Sequence, residues 1–284
     1  MSAMSQQNNS ASVQFQCPAK INLFLHITGR LDNGYHRLES VFRSVSLFDE
    51  INLICRPDAE IVRRANPINV SPENDLTMRA AQLLQQASGS TLGVDIELTK
   101  RIPMGSGLGG GSSNAAGVLR HLNRLWGCGL TAPALHALAL KLGADVPFFL
   151  NGGDQFVQGI GERLTPITLP HAHYLILFPD VHCPTGPMFQ DPALNRSHAP
   201  LGAPELARQD FLSDHFSNAF EAVALRQLPE IARAKHWLIR QAGNARLSGS
   251  GSALFAQVAS EATAQEIQAR CPSPWLAWSV CSTA

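Results

Sequence analysis

The run Ile102-Pro103-Met104-Gly105-Ser106-Gly107-Leu108-Gly109-Gly110-Gly111-Ser112-Ser113-Asn114 holds five glycines within seven positions. Such density suits backbone that must take positive φ or come close to a ligand. From Ser112 onward Ala115, Ala116, Val118, Leu119, Leu122, Leu125 and Trp126 recur at helical spacing, and Gly127 ends the pattern. The spacing predicts a loop that delivers backbone N–H groups at a helix N-terminus. Unpaired donors and the positive end of the helix dipole meet there, which favours a polyanion such as a nucleotide triphosphate. Other glycine-loop chemistries fit less well. Gly105, Gly107 and Gly110 match a dinucleotide fingerprint, but no Asp or Glu lies between Gly110 and Asp145 to hold a ribose. No Gly-Lys-Ser/Thr closes the loop, and the His-Arg-Asp and Asp-Phe-Gly signatures of protein kinases are absent. Strand-like Val94-Asp95-Ile96-Glu97-Leu98 before the loop and a strong helix after it exclude a flexible linker.

Other side chains carry chemistry only in context. By itself Asp145 before Val146-Pro147 reads as a helix N-cap, and Lys20 after Pro18-Ala19 as a surface cation. Tyr35 reads as a turn residue packed on a sheet and Phe189 as a core aromatic. The run Ser248-Gly249-Ser250-Gly251-Ser252 lacks the frame of a nucleophile elbow and reads as a tight strand turn. His171-x-His173 and His182-Cys183 have no further ligand pair at finger spacing, so they read as ordinary side chains rather than a zinc site.

The elements that must position these groups follow from periodicity. Val13 to Ile27 is extended with an interruption at Cys17-Pro18-Ala19-Lys20, then turns at Asp32-Asn33-Gly34. Strands are expected near Glu39 to Leu47 and Ile51 to Cys55, and a helix from Asn74 to Ala87. A helix follows the glycine loop, and another runs from a cap at Thr131 to Gly143. Tyr174 to Phe178 is a short buried strand, and Pro179 to Pro204 is a Pro- and Gly-rich connection of the kind that carries function. Helices at Phe216 to Leu225 and Glu230 to Gln241 precede paired strands at Ala245 to Leu247 and Ala253 to Val258. A helix at Glu261 to Ala269 and a strand at Trp275 to Val280 end the chain. The mixture implies a two-domain α+β protein.

Composition bounds the partners. The chain has 284 residues, 45% of them hydrophobic, with 22 basic and 22 acidic side chains. That balance leaves no electrostatic footprint for nucleic acid or an anionic membrane, and no apolar run approaches the length of a membrane span. Six scattered cysteines without C-x-x-C spacing point to reduced thiols and a cytoplasmic location. Residues 1–12, without charge or apolar run, match no targeting signal and are expected to form a disordered tail.

Five motifs in order now resemble a known family: Pro18-Ala19-Lys20-Ile21-Asn22-Leu23, Gly34-Tyr35-His36, the loop Pro103 to Ser113, Gly143-Ala144-Asp145-Val146-Pro147, and Arg246 to Ser252. Together they are similar to the galactokinase, homoserine kinase, mevalonate kinase and phosphomevalonate kinase superfamily, and within it to the diphosphocytidyl branch. The resemblance implies a ribosomal-protein-like ATP-binding domain over residues 13–165 and a ferredoxin-like substrate domain over 166–284, with the active site between them. It implies ATP-dependent phosphorylation of the 2-hydroxyl of a cytidine diphosphate-linked methylerythritol, in non-mevalonate isoprenoid synthesis, by a monomer or weak homodimer. Asp145 would be the general base or would orient the hydroxyl, with Lys20 its ion-pair partner and the stabiliser of the transferring group. Tyr35 and Phe189 would sandwich the cytosine while His36 reads its edge, and Asn22, Asp145 and Thr185 would line the methylerythritol side. Asn74, Leu76, Lys100 and Met104 would form the adenosine pocket beside the phosphate loop Pro103, Gly105, Ser106, Gly107, Leu108, Gly109, Gly110, Gly111, Ser112 and Ser113. The loop departs from the superfamily pattern, because Gly110-Gly111 occupy the place of its serine pair. The metal ligand is therefore left unassigned, and Mg²⁺ is expected to arrive with ATP, held by phosphates and water. Another small-alcohol kinase and a non-catalytic binding module are the rival readings; the Tyr35, His36 and Phe189 set argues against the first, the Lys20/Asp145 pair against the second.

Overall fold

The computed structural model describes residues 11–32, 34–65, 70–201, 206 and 210–283. Most of the expected tail, Asn33 of the expected turn, and the end of the Pro179 to Pro204 segment lie outside them. Ser12, expected in the tail, opens the first strand.

Strand β1 (Ser12–Arg30) and β2 (His36–Arg56) form a long antiparallel ladder. On its other side β2 pairs with β4 (Gly93–Thr99) at one end and β5 (Asp154–Gly159) at the other. Parallel β3 (Ile61–Arg63) extends the sheet beyond β4, and β6 (Arg163–Ile167) extends it beyond β5. A second, antiparallel sheet has the order β10 (Leu276–Cys281), β7 (His173–Phe178), β9 (Leu254–Val258), β8 (Arg246–Leu247).

Every residue from Ala19 to Ile27 is buried, because both faces of β1 are covered, which explains a run of apolar residues without clean alternation. The expected interruption at Cys17 to Lys20 is instead a bulge between Pro18 and Ala19, where the ladder shifts register and the missing proline N–H is tolerated. The break expected between Leu47 and Ile51 is also absent. Asp49, the polar residue at that point, stays in the strand because its buried carboxylate is fully engaged.

Helices α1 (Leu76–Ser88), α2 (Gly110–Leu125), α3 (Ala132–Leu142) and α4 (Val146–Asn151) pack on the first sheet. Asp75 caps α1 by accepting from the Thr77 N–H at 2.8 Å, and Gly89 ends it in the left-handed region. Helices α5 (Thr185–Gln190), α6 (Glu221–Gln227), α7 (Pro229–Ala242) and α8 (Glu261–Ala269) belong to the second half. Strands β3, β5 and β6 and helices α4 and α5 were not expected from the periodicity. The helix expected from Phe216 begins only at Glu221. Asn218 holds the chain before it in a turn, accepting from the Phe220 N–H and donating to the carbonyls of Leu247 and Gly249.

Three apolar cores result, and β1 feeds all of them. Cys17 packs under α2. Ala19, Ile21, Leu23 and Phe24 pack between the two sheets. Leu25 and Ile27 pack against the helices of the second half.

Candidate active site

The glycine loop is anchored from below by one carboxylate. Asp49 is fully buried; its Oδ1 accepts the N–H groups of Arg101 at 2.7 Å and Ile102 at 2.8 Å. Its Oδ2 accepts the Asn114 amide at 3.0 Å and pairs with the Lys100 ammonium at 2.8 Å. Loop entry and the first turn of α2 are thereby tied to β2. Gly105, Gly107 and Gly109 take φ of +63°, +78° and +73°, backbone that a side chain would strain. Close approach is a second requirement, since a Cβ on Gly107 would lie 2.1 Å from the Ser248 carbonyl oxygen. Helix α2 has Gly109 at its N-cap and no side-chain cap, so its first N–H groups face outward for a ligand. It starts at Gly110, two residues earlier than the spacing indicates.

Two cavities meet at this loop, and Gly105, Gly107 and Gly109 line both. The smaller, about 290 Å³, brings together Asn74, Leu76, Lys100, Pro103 and Met104 with Ser106, Gly110, Gly111 and Ser112. The larger, about 970 Å³, brings together Lys20, Asn22, Tyr35, His36, Asp145, Thr185 and Phe189. Leu108 and Ser113 are not on either wall. The Leu108 side chain packs between the sheets, and its carbonyl accepts from the Lys20 N–H at 2.9 Å. The Ser113 hydroxyl is buried without a hydrogen-bond partner among the described residues.

Lys20 is only 3% exposed, near the junction. Its ammonium lies 3.6 Å from Asp145 Oδ2, donates to Asn22 Oδ1 at 2.6 Å, and sits 4.7 Å from the centre of the Phe42 ring. Burial pulls its pKa below the ordinary lysine range, and Asp145 opposes that pull. Asn22 is oriented in turn by donating to Ser40 Oγ at 3.0 Å, and Ser40 donates to the Phe24 carbonyl at 2.5 Å. Asp145 precedes α4 but caps nothing, which leaves its carboxylate, a third exposed, open to the larger cavity.

Tyr35, His36 and Phe189 line the aromatic side of the larger cavity. His36 lies flat against Phe189, ring centres 4.8 Å apart and planes 19° apart, and Phe220 meets Phe189 edge-on. Tyr35 is 60% exposed at the rim. Thr185 Oγ1 bonds Ser250 Oγ at 2.6 Å, so the Ser248 to Ser252 turn forms part of the wall, as the reading of a tight strand turn implies. Arg30 and Arg196 line the same cavity, and no sequence motif marks either. Asp49 is equally unmarked; an acid inside a strand is its only signal. Among the described residues no group of three His, Cys, Asp or Glu could hold a metal, and Cys183 contacts Met188 instead.

The chain is similar to known kinases over nearly its whole length. The model described as GHMP kinases N terminal domain matches residues 75–153, and the model described as GHMP kinases C terminal matches residues 193–276. The chain is 46% identical over 268 residues to the 4-diphosphocytidyl-2-C-methyl-D-erythritol kinase of Azoarcus sp. strain BH72, covering 94% of this chain and 93% of that one. It is 47% identical over 262 residues to the enzyme of the same name from Dechloromonas aromatica, covering 92% and 93%. A crystal structure of 4-(cytidine 5'-diphospho)-2C-methyl-D-erythritol kinase superposes with a TM-score of 0.82 at 34% identity, covering 96% of this chain and all of that one. Homoserine kinase from Cytophaga hutchinsonii, at 18% identity and a TM-score of 0.70, shares the fold.

Proposed function

Because the chain belongs to the 4-diphosphocytidyl-2-C-methyl-D-erythritol kinases of the GHMP family, we propose that it transfers the γ-phosphoryl group of ATP to the 2-hydroxyl of 4-diphosphocytidyl-2-C-methyl-D-erythritol. The observation that carries this is a buried lysine paired with an open carboxylate near the place where two cavities share a glycine loop. The smaller cavity suits ATP, with its phosphates on the N–H groups that open α2. The larger suits the cytidyl acceptor, with its hydroxyl at Asp145.

Asp145 then orients that hydroxyl and accepts its proton as the oxygen attacks phosphorus. Phosphoryl transfer depends mainly on in-line positioning and on neutralising the equatorial oxygens. Lys20 supplies a cation for this that is already desolvated and held by Asn22 and Asp145, so no reorganisation is needed as charge moves. The donor set fits an ion that arrives with the nucleotide, because the acids lining the cavities are Asp145, paired with Lys20, and Asp75, paired with Arg63. Mg²⁺ would be held by phosphates and water with the Ser112 hydroxyl at hand, and would neutralise phosphate charge. With six free cysteines, and no helix long and apolar enough to cross a membrane among the described residues, the reading is of a cytoplasmic enzyme.

ADP release with Mg-ATP and a panel of alcohols tests the proposal. The cytidyl compound should be turned over and free methylerythritol, mevalonate and homoserine should not. Equal turnover of mevalonate or homoserine would restore the general small-alcohol kinase reading.

A further inference from the structure

Arg196 stands at the rim of the larger cavity with its donors engaged at close range. Nη2 donates to the carbonyls of Phe189 at 2.7 Å and Asp191 at 2.8 Å, and Nη1 to the carbonyl of Leu194 at 3.1 Å. These bonds wrap the loop after α5 around one guanidinium. The Nε donates to His36 Nε2 at 3.3 Å and ties that loop to the start of β2. Arginine has no acceptor and stays protonated, so the imidazole nitrogen facing it must be the one without a proton. His36 is therefore neutral with its proton on Nδ1, a nitrogen with no hydrogen-bond partner among the described residues. Burial, with Arg196 and Arg30 nearby, holds the ring below the ordinary histidine range and keeps it neutral. The stack on Phe189 fixes the plane of the ring. The bond to Arg196 fixes which edge turns outward.

We propose that Arg196 sets base selectivity as a positioning residue, by locking His36 as an Nδ1–H donor toward the pyrimidine of the acceptor substrate. Cytosine offers an unprotonated N3 that accepts from such a donor. Uracil carries N3–H, so two donors would face each other and one would lose its partner in a partly desolvated site. A histidine free to exchange tautomers would serve both bases. The inference rests on the reading of the larger cavity as the cytidyl site.

The tautomer can be measured without turnover. Protein labelled with ¹⁵N in its ten histidine rings, with His36 assigned from a His36→Asn spectrum, should show His36 protonated on Nδ1. Arg196→Ala and Arg196→Lys should convert it to a tautomer mixture. A wild-type ring protonated on Nε2 would overturn the proposal. In steady-state kinetics with cytidyl and uridyl acceptors, the wild-type preference in kcat/KM should fall about tenfold or more in both variants while KM for ATP stays unchanged. Arg196→Lys keeps the charge but not the fork. Loss of preference in that variant with an unchanged unfolding temperature therefore separates tautomer control from loop damage and supports the proposal. Variants that keep the wild-type preference overturn the role of Arg196 alone. A wild type without preference overturns it together with the reading of the cavity.

Discussion

Lys20 is a cation held where water scarcely reaches, and its neighbours only partly compensate it: one carboxylate at 3.6 Å, one amide oxygen and one aromatic face. Such a group is poised to take more negative charge, which is what a transferring phosphoryl group brings. Lys20→Met should therefore lower kcat far more than it raises KM. Asp145→Asn keeps shape and removes the proton acceptor, so kcat should fall by about 10²–10⁴-fold with acceptor binding largely kept. Steady-state kinetics checks both, and wild-type turnover in either variant removes that residue from the chemistry. Neither role was legible from the residue alone. Lys20 looks like a surface side chain until burial on both faces of β1 is known, and Asp145 looks like a cap although no backbone donor reaches it. The motif order carried the assignment, and the residues no motif contains stayed invisible, because the partners of Asp49 and the His36 partner of Arg196 are distant in sequence.

At the scale of elements, strand β4, the glycine loop and helix α2 behave as one unit because Asp49 pins them to β2. The Asp49 and Lys100 charges are both largely out of solvent, Lys100 at 12% side-chain exposure, and burial pulls Lys100 below its ordinary pKa against the opposing pull of Asp49. Removing one partner of such a pair typically costs about 3–5 kcal/mol, because the other charge is left uncompensated. Asp49→Asn should thus lower the unfolding temperature and raise KM for ATP. Adding Lys100→Met should restore much of the stability without restoring ATP affinity. A double variant as unstable as the single one would show that Asp49 acts through its hydrogen bonds from Arg101, Ile102 and Asn114 rather than through the Lys100 charge. Gly110→Val tests the other side of the unit: its Cβ alone would stand 2.9 Å from Ile102 Cγ2 and 3.0 Å from Lys100 Nζ. Titration with a non-hydrolysable ATP analogue should show weakened binding to folded protein, and unchanged affinity would move the phosphates elsewhere. The loop and α2 were readable because glycine density and helical spacing are local signals. Strand β5 was not, since its buried Gln155 faces inward and donates to the Phe148 and Gly152 carbonyls, which breaks the expected alternation.

For the whole molecule, the seam between the halves holds two titrating groups of opposite sense. On one side His26 is 3% exposed, makes no hydrogen bond of normal geometry through either ring nitrogen among the described residues, and stacks on His198 at 4.3 Å. Burial first, then the neighbouring His198 and His215, push its pKa down to about 4. On the other side Asp154 lies 3.5 Å from Arg43, which also donates to the Tyr174 hydroxyl of the second sheet; burial pushes the Asp154 carboxyl up to about 6 against the pull of Arg43. The signs follow from which state binds more protons. For His26 the unfolded chain binds more between the folded and unfolded pKa values, so its stabilising contribution is complete above about 6.5 and is lost as pH falls toward 4. For Asp154 the folded chain binds more, so its contribution is complete below about 3.8 and is lost as pH rises through 6. Each shift amounts to about 3 kcal/mol at roughly 1.4 kcal/mol per unit, so the two largely cancel across the same window. Wild-type stability should therefore change little between pH 6.5 and 4 on account of this seam. His26→Phe, which keeps the stack and removes the titration, should become more stable on acidification relative to wild type; Asp154→Asn should become less stable. Denaturant unfolding of the three proteins at intervals across that range checks it, and parallel pH profiles for all three would mean that neither group titrates differently in the folded and unfolded chains.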